Sequence, residues 1–268
     1  MRGDFARAAA TYDEAAVLAR ETGQRMAQRL DYVKIAPRRV ADIGCATGDG
    51  IRELQRRYPT ALPLAVDFAR PMLAAVRQRS SLLQRLRGRG PRLVNADVRR
   101  LPLAAGALDL AWSNLMLHWL DDPLPAFREL HRVLDVGGLL MFAVLGPDTL
   151  KELRAAGATT LRSFPDMHDI GDMLVAAGFA DPVMDMEMVR FAYASPRGLL
   201  RDQRLLGVRD GLLGPMGFRG ARRVLRTWSA QREEGRLPAT FEVVYGHAWK
   251  AAPRTDEQGR AIVRFGKP

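Results

Sequence analysis

The chain has 268 residues, 47% of them apolar, with 41 Lys and Arg against 30 Asp and Glu, a net charge of +11. That apolar content fills a core and excludes a disordered tail protein, and the single cysteine, Cys45, excludes a disulfide-stapled secreted module. The start, Met1 to Thr11, lacks the apolar run of a signal peptide, and the most apolar stretch, Gly138 to Leu145, is too short to cross a bilayer; a soluble, cytoplasmic protein is expected.

In chain order, Val40 to Ile43 is a short apolar run after the Pro37 breaker, leading into the glycine-rich stretch Gly44 to Gly50. Ile51, Leu54 and Tyr58 recur at helical spacing up to Pro59. Leu62 to Val66 reads as a second buried strand ending at Asp67, and Pro71 opens the helix after it. Leu93 to Asn95, before Asp97, and Leu108 to Trp112 are a third and a fourth strand. Leu124, Phe127, Leu130 and Leu134 mark an amphipathic helix closed by Gly137 and Gly138, ahead of a strand from Leu139 to Leu145. A helix over His168 to Ala177 leads to a strand from Val183 to Phe191. Phe241, Val243, Tyr245, His247 and Trp249 alternate with their neighbours as a last, period-two strand. Short apolar strands alternating with helices specify an α/β fold, a doubly wound sheet covered on both faces. No internal repeat or low-complexity linker interrupts it, and the polar stretch from Ala251 to Pro268 is expected to be loosely attached.

The charge is unevenly placed. From Arg190 to Arg236 eleven arginines face four acids, and from Arg77 to Arg100 eight arginines face Asp97 alone. Only four of the bases are lysines, Lys34, Lys151, Lys250 and Lys267, so a GC-rich genome and a functional basic face both account for the arginines.

In a doubly wound sheet the ligand sits beyond the carboxyl ends of the strands, at the switch point beside the first. The loop there, Asp42-Ile43-Gly44-Cys45-Ala46-Thr47-Gly48-Asp49-Gly50, lacks the third glycine of a dinucleotide fingerprint and the Gly-Lys-Ser/Thr of a Walker loop. Asp42 and Asp49 would repel a pyrophosphate and attract a cation, such as the ammonium and sulfonium of S-adenosylmethionine. Asp67 is placed to accept both ribose hydroxyls, and Asp97 the adenine amino group with Val98 at the ring.

These features resemble the class I S-adenosylmethionine-dependent methyltransferases, over about residues 38 to 190 and the strand at 241 to 249. The resemblance implies a Rossmann-like, seven-stranded, mostly parallel sheet whose last strand is antiparallel, and S-adenosylmethionine as cofactor. The cofactor set it implies is Asp42, Gly44, Cys45, Gly48, Asp67, Phe68, Met72, Asp97, Val98 and Asn114, with no metal. Ala46 stands where a central glycine is commoner, and its methyl is expected to loosen the cofactor contact.

The segment after the fourth strand, Ser113-Asn114-Leu115-Met116-Leu117-His118-Trp119, is not the Asn/Asp-Pro-Pro-aromatic loop that holds a flipped base, which argues against base methylation. Nearly the whole chain resembles one family, the malonyl-acyl-carrier-protein O-methyltransferases of biotin synthesis. The motifs are Phe5-x-Arg7-Ala8-Ala9-x-x-Tyr12, Leu108 to Leu115, Gly146-Pro147-Asp148-Thr149-Leu150 and Phe164-Pro165-Asp166-Met167-His168-Asp169. Asp148 to Leu153 and Leu237-Pro238-Ala239-Thr240 are also similar to a relative that assists respiratory complex I assembly, regarded as an arginine hydroxylase, which keeps a second reading open. A nucleic-acid enzyme using the basic faces is a third.

The first resemblance implies one domain: an N-terminal helical cap at 1–36, a cofactor core at 37–194, a basic helical lid at 195–237, and the last strand and tail at 238–268. It also implies an acidic acyl carrier protein bearing a malonyl thioester as partner. The malonyl carboxylate is ionised at neutral pH and needs no general base, so no catalytic residue is assigned. The acceptor-pocket candidates are Tyr12, His118, Trp119, Arg201 and Arg204, the arginines as bidentate partners of the carboxylate.

Overall fold

The computed structural model describes residues 2–80, 90–208 and 212–252; Arg85, Arg87, Arg89, Arg209 and the tail from 253 onward lie outside them. Seven strands form one sheet in the order β3-β2-β1-β4-β5-β7-β6: β1 Arg39–Ile43, β2 Leu62–Asp67, β3 Arg92–Asn95, β4 Leu108–Asn114, β5 Leu134–Leu145, β6 Ala180–Tyr193 and β7 Leu237–Trp249. The first five run parallel, and β7 pairs antiparallel with both β5 and β6. The strand order reverses between β1 and β4, which opens a crevice at their carboxyl ends.

The helices are α1 Arg2–Ala8, α2 Tyr12–Ala15, α3 Val17–Arg29, α4 Asp49–Arg57, α5 Arg70–Arg79, α6 Leu124–Val133, α7 Lys151–Ala155, α8 Met167–Ala176, α9 Pro196–Leu205 and α10 Phe218–Ser229. Side-chain alternation divides the core into two layers. In β5, Met141, Ala143 and Leu145 face one layer, with Ile51, Leu54 and Trp112; Leu140, Phe142 and Val144 face the other, with Phe127 and Leu130. The central strands are buried on both sides, so they read as continuous apolar runs. In β7 the alternation predicted from Phe241 onward is masked: Val243 and Val244 are both fully buried between the layers. Gly246 is needed there, because a Cβ would lie 2.3 Å from the Phe142 ring.

Two boundaries differ from the sequence reading. The helix carrying Phe127 ends at Val133, not at the glycines, and Leu134 already pairs with Leu108 in β5. Gly137 and Gly138 lie inside that strand, where Gly137 at φ +76° makes an irregularity held by hydrogen bonds with the Lys250 backbone. The predicted helix near 168 is α8, capped by Asp166, whose carboxylate accepts from the His168 and Asp169 amides at 2.7 and 3.0 Å.

The N-terminal helices fold over the crevice and are tied down by polar side chains. Thr22 Oγ1 donates to Asn114 Oδ1 at 2.8 Å, and Asn114 Nδ2 donates to the Ala19 carbonyl at 2.7 Å. Thr47 Oγ1 donates to Asp13 Oδ1 at 2.6 Å, and Arg79 pairs with the same carboxylate. At the other end Arg29 reaches Glu187 of β6 at 2.8 Å.

Candidate active site

Beneath this cap lies a cleft of about 710 Å³ at the carboxyl ends of β1, β2 and β4. One end is floored by Asp67, Phe68, Met72, Asp97 and Val98, and Gly44, Ala46 and Asn114 form the middle. Tyr12 roofs it, and His118 and Trp119 wall the far end. Nine of the residues named from the sequence thus meet around one cavity, with Trp119 a tenth.

Asp67 is held by its neighbours. Its carboxylate accepts from the Ala46 amide at 3.0 Å and the Ala69 amide at 2.8 Å, one on each oxygen. Burial pushes its carboxyl up to about 6 against those two bonds. Each oxygen keeps a lone pair for a hydroxyl donor. The neighbouring amides of Gly44 and Cys45 are already spent on the Val66 carbonyl, at 2.8 and 3.0 Å, so this loop presents few free donors to an anion. Gly44 at φ +76° also makes room for Met116, whose Cγ a Cβ would approach to 2.3 Å. Ala46 takes φ +44°, the left-handed region a glycine occupies without strain.

Three of the expected cofactor residues do not line the cleft. Asp42 is buried behind the loop beside Gly50, where a Cβ on the glycine would lie 2.6 Å from Asp42 Oδ2 and 2.9 Å from Trp112 Nε1. Burial raises its carboxyl to about 8, with the Asp67 and Asp49 carboxylates adding to the rise and an Ile51 amide bond opposing it. At neutral pH it is mainly protonated, so it neither touches the cleft nor supplies the charge expected of it. The Cys45 thiol packs into the core, where burial raises it well above the ordinary range and leaves it unreactive. Gly48, at φ +95°, caps α4 and faces Val76.

Neither arginine proposed for the acceptor enters the cleft. Arg201 is exposed and lies 3.6 Å from Glu14, and Arg204 is exposed. The reason is the rotation of α9: its buried face carries Leu199 and Gln203, four residues apart, and the arginines fall on the other side. The inward residue is Gln203, 3% exposed, whose Oε1 is buried without a partner and which lines the cleft with Tyr193, Asp202 and Leu206. The signal for it was a glutamine on the apolar face of a helix.

The histidine at the far end of the cleft is neutral. Burial, and then the charge of Arg162, lower His118 to about 3, so its imidazole is uncharged. Its Nδ1 accepts from the Leu145 amide at 3.4 Å, which leaves the ring proton on Nε2. The ring stands between Trp119 and Phe164, with centroids 4.8 and 5.4 Å away. Arg162 itself donates to the His118 and Trp119 carbonyls at 3.3 and 3.1 Å, and so shapes this wall from outside. Burial first, and then the Asp67, Asp49 and Asp42 carboxylates, hold the Tyr12 phenol far above neutral pH, as a donor. Tyr193 is raised by burial and by its hydrogen bond to Asp202. Among the described lining residues the charges are Asp67, Asp97, Asp121 and Asp202 against Arg99, which is 2.6 Å from Asp97.

A family profile described as a methyltransferase domain matches residues 41–142. The malonyl-[acyl-carrier protein] O-methyltransferase of Gallionella capsiferriformans is 50% identical over 98% of this chain and 94% of its own. That of Laribacter hongkongensis is 49% identical over 99% and 94%. Among solved structures, the YcgJ protein of Bacillus subtilis superposes with a TM-score of 0.60 at 14% identity, over 85% of this chain and 98% of its own. Phosphoethanolamine N-methyltransferase 2 of Haemonchus contortus, solved with S-adenosyl-L-methionine, gives 0.53 at 16%, over 85% and 52%. These two share the fold.

Proposed function

This chain belongs to the family of the malonyl-[acyl-carrier protein] O-methyltransferases, and we propose that it methylates the free carboxylate of a malonyl thioester carried on an acidic acyl carrier protein. Its cofactor is S-adenosylmethionine, which when bound supplies an electrophilic methyl on a cationic sulfur. The residues present fit that group. A carboxylate with two free lone pairs, Asp67, stands at the end of β2 for a ribose. Met72, Phe68 and Val98 give apolar surface for a base, and the surplus of carboxylates in the cleft favours a cation. Asp97 would receive a base amino group after sharing its pair with Arg99.

At the acceptor end the chain offers neutral donors: the Tyr12 hydroxyl, the His118 imidazole and the Gln203 amide. Neutral donors orient an ionised carboxylate without pairing its charge as an arginine would, so the oxygen stays nucleophilic. The acceptor has no proton to lose at neutral pH, and no base is called for. Transfer cancels the acceptor's negative charge against the sulfur's positive one. Exclusion of water by the cap and by Trp119, which lines the cleft, would favour that neutralisation.

The observation that carries this reading is the likeness to these relatives along almost the whole chain. The test is incubation with methyl-labelled cofactor and either malonyl or acetyl carrier protein. Label is expected on the malonyl form alone. Equal labelling of both, or none of either with cofactor bound, contradicts it.

A further inference from the structure

The outer face of α10 has no use inside the molecule. This helix carries no acid and four arginines, Arg219, Arg222, Arg223 and Arg226. They are spaced three, four and seven residues from the first, so they form one stripe. All four are exposed, while Val224 and Trp228 are buried on the opposite side. The Trp228 indole donates to the Pro238 carbonyl at 2.9 Å, which holds the helix in that rotation. Several arginines on other elements are paired with acids: Arg56 with Glu53 at 2.6 Å, Arg132 with Glu129 at 2.7 Å, Arg190 with Glu233 at 2.8 Å. Among the described residues the four on α10 have no such acid. Phe218, at the head of the stripe, is 82% exposed.

Like charges at this spacing oppose helix formation, and nothing within the described chain offsets them. We propose that the stripe is the docking surface for the acidic face of the carrier protein, with Phe218 as its apolar anchor; this rests on the acceptor reading above. The route from stripe to cleft is short in the chain. Leu212, six residues before Phe218, lines the cleft, and its carbonyl accepts from the Arg162 amide at 2.9 Å. Arg162 in turn holds the carbonyls of His118 and Trp119. The segment leading into α10 is thus bonded to the wall that the acyl arm must pass. The acceptor reading commits the stripe to the carrier protein; a polynucleotide would meet the same charges and is an outcome of the test.

The test uses two acceptors with the same malonyl group, the malonyl carrier protein and the malonyl thioester of N-acetylcysteamine. In the variant Arg222→Glu/Arg226→Glu, KM for the carrier is expected to rise about tenfold or more with kcat kept. Raised salt, which weakens the wild-type carrier KM, should affect the variant less. Turnover of the small thioester should be unchanged, which also shows the variant folded; Arg222→Ala/Arg226→Ala gives a milder version. An unchanged carrier KM overturns the proposal, as does an equal loss on both acceptors in the alanine variant. Displacement of the carrier by a short RNA at lower concentration than the carrier's KM overturns it too. Failure of the wild type to methylate either acceptor overturns the acceptor reading itself.

Discussion

At the residue scale the site turns on carboxylates and amides placed by backbone geometry. Asp67 sits near 6 before cofactor binds, against about 4 in an unfolded chain. A raised carboxyl favours folding below about pH 4 and loses that contribution as pH rises through 6; Asp42 extends the loss toward 8. Hydroxyl donors and a nearby cation favour the ionised form, so cofactor binding lowers the Asp67 carboxyl. Cofactor affinity is therefore expected to rise with pH up to about 6 and then level, with protons released on binding below that point. Calorimetry in buffers of different ionisation enthalpy measures both; proton uptake in that range would contradict it. Gln203 is the other residue with a defined expectation. Gln203→Glu sets a charge against the substrate carboxylate and should lower kcat/KM for malonyl carrier protein about 100-fold, with cofactor affinity unchanged. Gln203→Leu should cost about 10-fold. An equal loss of cofactor affinity would make the residue merely structural. Asp67 was legible in the sequence because a strand end is a fixed place in this architecture. Gln203 was not, because the facing of α9 depends on which of its sides the cleft buries, and the neutral residue stands between the charged Arg201 and Arg204.

At the scale of elements, the sheet was legible almost strand by strand, since each buried strand is a short apolar run bounded by a glycine, a proline or an acid. The end of α6 was not: Leu134 continues the apolar spacing of the helix, yet it is taken by pairing with Leu108. The glycines that read as a helix stop are instead a kink that lets β5 reach Lys250. The N-terminal helices had weaker signals still, and their position comes from Met26 and Leu30 in the core together with single polar contacts. Thr47 and Asp13 form one of these, joining the glycine loop to α2 next to Tyr12. Removing the hydroxyl with Thr47→Val should cost about 1 kcal/mol and speed cofactor release about fivefold. Stopped-flow release measures the second effect, and an unchanged rate would mean the cap does not gate the cleft.

At the scale of the whole molecule the charge of +11 divides into parts. The cleft holds a surplus of acids, suited to a cationic cofactor. Many arginines are paired on the surface, where each pair adds little to stability. The stripe on α10 lies outside the cleft and gathers four exposed arginines on one helix face. No helix among the described residues is long and apolar enough to cross a membrane. The sequence alone assigned the arginines between 190 and 236 to one basic block; the fold separates those on α9, beside the cap, from those on α10. The proposed methyl transfer to an ionised carboxylate calls for no base, metal or oxygen. Intact-mass measurement of malonyl carrier protein after incubation with this protein and S-adenosylmethionine, in air and then without oxygen and with a chelator, tests it most directly. One added methyl, lost with the acyl group when the thioester is cleaved and formed equally in both conditions, is the expected result. An unmodified carrier protein, or a product that requires oxygen or metal, would contradict it.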